Sequence, residues 1–538
     1  MGRLIEWMIV GLLVCFSIVG CNSDQVQPTA SSQNVTLTAQ THSVILASSP
    51  SPTNVPSGSV LSTLPPPTIE PTSIPSSIPT PTPSPKIAVY VPERWREAAI
   101  AAFRSPSLIT DVWDWQLVDK SNEADIVMAE GPGEIGAGER PIALIVPFTN
   151  PIEELTVEEA QQYLMVPGSG FLAADWDDIP TGFKALRVGG LLPDDDGYAL
   201  KQYWSLRRPG VEYDMETLSL GSALAEQLSR RASIHLAAVG DIMLDRSLGF
   251  VIETGDLQYP FSNVADTLSK ADIAVGNLES SLGNTGEPVE KSYNFQAPPE
   301  AARSLALAGF DVMSLANNHA LDFGPPALLQ AIDLLEENGI RSVGAGANLA
   351  FARQPVLVDE NGVRVAFLAY VDVPVEISGF DTQTWEAGVE TPGLAWAHPD
   401  TIIQDVRSAK AIADVVVVIL HSGYEFLQQP SPPQIGSAQA AIDAGASLVI
   451  GHHSHLLQGV AFYQGGVIVY GLSNFAFEME GSRDSAILNV WLDKDGVSNL
   501  EIIPITIGPG GQPGYATPGE SRRIREEVYR LTELLNQP

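Results

Sequence analysis

The chain has 538 residues, 44% of them hydrophobic, and carries 64 Asp plus Glu against 29 Lys plus Arg, a net charge of −35. Length permits two to four domains of roughly 100–200 residues, and the apolar content suffices for real cores. So acidic a surface repels phosphate backbones, which sets nucleic acid aside as a partner.

The chain opens with MGRLIEWMIVGLLVCFSIVGC. Arg3, an apolar stretch from Trp7 to Val19 that is short for a membrane span, and a small residue before Cys21 suit a secretory signal, although Glu6 is atypical there. The end, Ile18-Val19-Gly20-Cys21, resembles a bacterial lipobox. By that resemblance residues 1–20 are a lipoprotein signal peptide and Cys21 is the lipidation site. The mature protein is then an extracytoplasmic, membrane-anchored bacterial lipoprotein; the alternative is a plain signal anchor. Cys15 and Cys21 are the only cysteines, so no internal disulfide is expected in the mature chain.

Residues 21–85 are rich in Ser, Thr and Pro and culminate in PPPTIEPTSIPSSIPTPTPSP. Such a composition cannot bury a core and favours extended polyproline II, so a disordered stalk is expected. Residues 86–230 change character. KIAVYVP, ADIVMAEG and RPIALIVPF read as strands, ERWREAAIAAF and TVEEAQQYL as helices, the latter with a capping box at Thr156 and Glu159. This is a small α/β domain of unknown role, in which VPFTNPIEELTVEEAQQYL resembles the lobes of periplasmic solute-binding proteins.

From 231 to 515 short apolar strands alternate with helices: SIHLAAV, ADIAVGN, DVMSLAN, VRVAFLAYV, ADVVVVIL, ASLVIG and GVIVYGL against PPEAARSLALAG and PPALLQAIDLLEENG. The alternation predicts a layered α/β fold, and Asn361-Gly362 predicts a hairpin turn. VGAGAN lacks the full dinucleotide fingerprint and reads as a strand-end turn. Residues 516–538 carry an amphipathic helix expected to pack on this domain.

Polar clusters follow these strands: Gly240-Asp241, Gly276-Asn277-Leu278-Glu279, Asn317-Asn318-His319 with Asp322, His421-Ser422-Gly423, and Gly451-His452-His453-Ser454-His455. The C-terminal ends of strands are where α/β sheets bind ligands. Five of the eight histidines sit there, whereas His42, His235 and His398 do not. Taken singly, Asp241 or Asn318 could cap a turn and His421 could be a satisfied core residue. Together, and with no cysteine available, they suit Mn, Fe or Zn, and six or seven ligands suit a pair of ions sharing a carboxylate. His453 and His455, as alternate residues of a strand, are expected to share a face.

The order GD, NLE, NNH with Asp three residues on, HSG, and GHHSH followed by LLQG resembles the CapA family. These are capsule or poly-γ-glutamate biosynthesis proteins of the calcineurin-like metallophosphoesterase superfamily. The resemblance covers roughly residues 232–480 and implies a four-layer α/β/β/α sandwich with a dimetal site of two divalent ions. It implies Asp241 and His455 on the first metal, Glu279 (or Asn277) as the bridge, and Asn318, His421 and His453 on the second. His319 would be the general acid, with Asp322 orienting it, and His452 a neighbour. Members of the superfamily usually read Asp-x-His in the first motif, whereas this chain has Asp241-Ile242-Met243, which puts occupancy of the first metal site and phosphatase activity in question. The resemblance implies a membrane-tethered hydrolase or transferase acting on an anionic surface polymer beside polymer synthase subunits. The alternative is a non-catalytic polymer-binding or export component.

Overall fold

The computed structural model describes residues 86–536 apart from 106–107, 109–113, 134, 167–169, 211–213, 229–231, 377 and 479–480. The leader, Cys21 and the stalk lie outside the described residues. Among those described, no helix is long and apolar enough to cross a membrane.

Two sheets pack face to face. The first runs in the order Arg341–Val343, Val312–Ser314, Ile273–Leu278, Ile234–Ile242, Asp484–Asp493, Gly496–Ile507, Pro513–Tyr515. Its first four strands are parallel and the last three antiparallel. The second runs Val356–Glu360, Val363–Asp372, Val415–Ser422, Leu448–His452, Gly466–Val469, Val460–Tyr463, with a parallel centre and antiparallel edges.

Strand alternation explains the layers. In Val363–Asp372, Val365, Phe367, Ala369 and Val371 enter the core between the sheets, while Ala366, Leu368 and Tyr370 enter a second core. That second core is closed by Ile402 and Val406 of Pro399–Lys410 and by Ala438 and Ala441 of Pro432–Ala444. A sheet buried on both faces reads as a continuous apolar run, as VVVVIL does. On the outer face of the first sheet, Leu248, Leu305, Leu328 and Leu335 bring in the helices Arg246–Glu253, Ala301–Ala308 and Gly324–Glu337. The result is a four-layer α/β/β/α sandwich. All seven strands anticipated in this region are present, and Asn361 (φ 48°) with Gly362 (φ 78°) forms the tight turn between Glu360 and Val363.

Residues 86–228 form a separate seven-stranded mixed sheet built around the long strand Ile135–Pro147. The capping box of Val157–Met165 is present: Thr156 accepts from the Glu159 backbone N–H, and Glu159 accepts in return. This sheet packs against the sandwich through Trp491, which lies in one cluster with Ala143, Ile145 and Trp176. Trp491 meets Trp176 edge-on at 5.6 Å, stacks on His235 at 4.9 Å, and donates from Nε1 to Asp194 at 2.9 Å. Arg187 clamps Glu501 bidentately (2.7 and 2.9 Å). The helix Pro518–Leu535 lies along Gly496–Ile507 and Val460–Tyr463, and its Tyr529 accepts from buried Lys184 at 2.7 Å. His235 and Asp241 are six residues apart on one strand, so at about 3.3 Å per residue the docked sheet lies about 20 Å from the ligand end.

Candidate metal centre

Two glycines make room for the site. A Cβ on Gly240 would lie 2.1 Å from the Ser473 carbonyl oxygen, and one on Gly451 would lie 1.9 Å from that of Tyr470. The segment 470–473 therefore passes against both strands just before their polar ends, which is why glycine precedes Asp241 and His452. Backbone oxygens cannot swing away as a side chain can, so Gly451→Ala is expected to cost about 3 kcal/mol, the upper end for overpacking, read as a lower melting temperature. Unchanged melting would refute the close approach.

A β-bulge between Ala238 and Asp241 sets Asp241 opposite Asn277, a common way to re-aim a side chain at a site. Asp241 is fully buried. Its Oδ1 accepts from Asn277 Nδ2 (2.9 Å) and His452 Nδ1 (2.8 Å), and its Oδ2 from the His453 backbone N–H (3.2 Å). Burial pushes this carboxyl up, yet the His452 imidazole, by charge and hydrogen bond, with His421 and His455 behind it, holds it well below the usual carboxylate range.

Glu279 is the opposite case. It is fully buried, and neither carboxyl oxygen receives a hydrogen bond from any described residue. Burial, with the Asp241 charge beside it, holds its carboxyl well above the ordinary value. A buried carboxylate without donors calls for an explanation, and a cation is the simplest.

Two groups of ligand atoms, each mutually within 4.8 Å, share this residue: Glu279, His421 and His453, and Asp241, Glu279 and His455. Burial first, then the His453 charge, holds the His421 imidazole well below its ordinary value; burial and His455 push His453 down to about 3. Neutral imidazoles beside carboxylates are the protonation state in which these side chains ligate metals. Asn318 Oδ1 lies 2.8 Å from His421 Nε2, at the edge of the Glu279–His421–His453 group. Nδ1 of His453 has no hydrogen-bond partner among the described residues, another buried atom that an ion would satisfy. The donor set of oxygens and imidazoles fits a divalent metal.

His319 and Asp322 meet as anticipated, Nδ1 to Oδ2 at 2.7 Å, with Phe295 against the imidazole at 4.4 Å. Asn277, weighed as an alternative ligand, is otherwise engaged. Its amide nitrogen faces Asp241 and lies 3.2 Å from His421 Nδ1, and its oxygen accepts from Asn317. His452 braces Asp241.

One expectation needs correction. His453 and His455 converge, but not by strand alternation: Leu448–His452 ends before them, and both have left-handed backbones (φ 83° and 53°). Such conformations cost about 1–3 kcal/mol for non-glycine residues and gather at functional sites. Met243, the departure from Asp-x-His, is fully buried with Phe295 and Phe477, and its sulphur accepts from the Asp245 N–H. An apolar wall stands at the position where the sequence resemblance implied an imidazole.

Sequence reasoning missed Asn474, whose Oδ1 takes His455 Nδ1 at 2.7 Å, and Glu376, which accepts from Asn318 Nδ2 at 3.0 Å. Both follow apolar strands, so the rule that found the other clusters points to them too. Glu376, Asp372, Glu425, Tyr424, Phe426 and His453 line a cavity of about 480 Å³ beside the second group.

A family model for bacterial capsule synthesis proteins, PGA_cap, matches residues 235–479. The capsule biosynthesis protein CapA of Bacillus anthracis is 33% identical over 55% of this chain and 72% of its own length. The chain belongs to the CapA family. The PGA biosynthesis protein CapA of Bacillus subtilis is 34% identical over 50% of this chain and 70% of its own. A hypothetical protein from Thermus thermophilus, known from its crystal structure, is 14% identical over 50% of this chain and 98% of that one, at a TM-score of 0.32. The region matched by the CapA family model holds every candidate metal ligand; the sheet built on Ile135–Pro147 precedes it.

Proposed function

We propose that the chain is a metal-dependent hydrolase or transferase of capsule or poly-γ-glutamate biosynthesis, tethered outside the cytoplasm through a lipidated Cys21. The observation that carries the catalytic part is the pair of ligand groups sharing Glu279. Family membership supports the pathway; the lipobox-like segment and the stalk support the tether.

Asp241, Glu279 and His455 would hold one divalent ion, and Glu279, Asn318, His421 and His453 the other. Divalent ions held by these residues would supply Lewis-acid chemistry toward a phosphoryl or carbonyl group and would lower the pKa of water. The chain's own residues supply the rest. Asp322 fixes His319 Nδ1, which leaves Nε2 as the nitrogen that exchanges a proton with a leaving group. Asn277 and His452 hold the Asp241 carboxylate in place, and Asn474 does so for the His455 ring. Their loss is expected to weaken metal affinity by about 10–100-fold, as outer partners of metal ligands generally do. A surface of net charge −35 repels a polyanion, so carboxylates of the polymer would approach through the bound cations.

The test is elemental analysis of the full chain beside a His421→Ala/His453→Ala variant, followed by turnover of a generic phosphodiester with added Mn. About two metals per chain, with turnover lost in the variant, is the expected result. A second reading, a polymer-binding export component, is favoured by Met243 and its apolar wall. Metal-dependent polymer retention without turnover of any ester or amide would select it.

A further inference from the structure

We infer that Lys291 is a positioning residue of the metal centre, a buried cation by which a loop outside the ligand-bearing strands fixes both Asn318 and the His319–Asp322 pair. The inference deepens the proposed function and rests on it only for what the positioned groups go on to do.

The Lys291 side chain is fully buried, as is that of Asp322. An ammonium removed from water costs several kcal/mol unless it is paired and hydrogen-bonded. Here it is paired with two carboxylates and hydrogen-bonded. Nζ lies 2.7 Å from Asp322 Oδ1 and 2.7 Å from Glu376 Oε1, and donates to the Asn318 backbone oxygen at 2.7 Å. Two of its N–H groups thus meet acceptors, Glu376 Oε1 and the Asn318 oxygen, while Asp322 Oδ1 is held by charge as an ion pair. The rings of Trp385 and Phe380 cover the cation, their centroids 5.1 and 5.7 Å from Nζ.

Each carboxylate leads to a functional side chain. Glu376 Oε1 also accepts from Asn318 Nδ2 (3.0 Å), which turns the amide oxygen of Asn318 toward His421 Nε2 (2.8 Å). The second oxygen of Asp322 accepts from His319 Nδ1 (2.7 Å) and from the Phe295 backbone N–H (2.8 Å). Without the cation, Asp322 and Glu376 face one another as buried like charges, and neither would keep its partner in place. An ammonium is a compact point charge that reaches three oxygens spread in space. A guanidinium is a planar fork, so arginine restores the charge without the geometry.

The experiment uses the full chain and the variants Lys291→Met, Lys291→Arg and Glu376→Gln. Manganese binding is followed by titration calorimetry, and the His319 tautomer by nitrogen NMR of the metal-free protein. In Lys291→Met, one of two manganese sites is expected to weaken by about 10–100-fold while the other holds, and the Nδ1–H signal of His319 is expected to lose its single tautomer. Lys291→Arg is expected to recover part of both. Wild-type affinities with an unchanged His319 signal in Lys291→Met would overturn the inference. Should Lys291→Met not fold, Glu376→Gln decides: it removes the ion pair while leaving Asn318 an oxygen to bond, and unchanged manganese affinity would overturn the inference equally. If the wild type itself binds no manganese, the proposed function falls, and the His319 tautomer in the variants still judges Lys291.

Discussion

Glu279→Gln is expected to empty both metal positions together and to abolish turnover, with apparent metal affinity falling by more than the roughly 100-fold that marks the upper range for outer partners. The two ligand groups share this one carboxylate, so its charge is withdrawn from both. The same variant is expected to stabilise the metal-free protein at neutral pH. Burial and the Asp241 charge raise the Glu279 carboxyl in the fold. The folded state therefore binds a proton that the unfolded state releases near the ordinary carboxylate value. Its contribution is fully present below that value and is lost as pH rises through the elevated one, at about 1.4 kcal/mol per unit of separation. Metal-free wild type is thus expected to melt lower as pH rises from about 4.5, and Glu279→Gln to flatten that slope. Chelated melting curves between mildly acidic and mildly alkaline pH measure it; parallel slopes for the two proteins would count against a raised Glu279 carboxyl.

Trp491→Ala is expected to lower stability by about 3–5 kcal/mol, the range for deleting a buried tryptophan, and to split one calorimetric transition into two. Trp491 belongs to the strand Asp484–Asp493, yet its cluster is otherwise made of residues between 143 and 192, in the region that carries the sheet built on Ile135–Pro147. Truncation removes the edge-on contact with Trp176, the stacking on His235 and the hydrogen bond to Asp194. The docked sheet would then unfold ahead of the sandwich. A single transition at the wild-type temperature would mean that the salt bridge to Glu501 and the Tyr529 contacts hold the two parts without it.

The central strands were legible because parallel strands buried on both faces are apolar throughout, and because polar residues begin abruptly where those strands stop. Asp241, Glu279, His421 and His453 were found by that rule. The antiparallel pair Asp484–Asp493 and Gly496–Ile507 was not anticipated, although it carries the docking surface. Mixed apolar and polar residues such as those of SNLEIIPITI leave the period ambiguous. The turn that joins His453 to His455 was hidden for a different reason. Nothing in the residue types of HHSH announces the left-handed backbones of His453 and His455. Lys291 had no signal either, since a lysine among Glu290, Ser292 and Tyr293 reads as solvated.

The docked sheet also determines how the chain would carry force. The strand Lys86–Tyr90 pairs in parallel with Asp114–Leu117 and Ile126–Glu130 and belongs to no sheet that bears a candidate metal ligand. On the proposed tether through Cys21, tension reaching Lys86 would load that pairing ahead of the contacts around Trp491 and the strands ending in Asp241 and His452. On that tether, the sheet would act as a mechanical fuse. It would yield under shear while the ligand geometry about 20 Å away stayed undistorted.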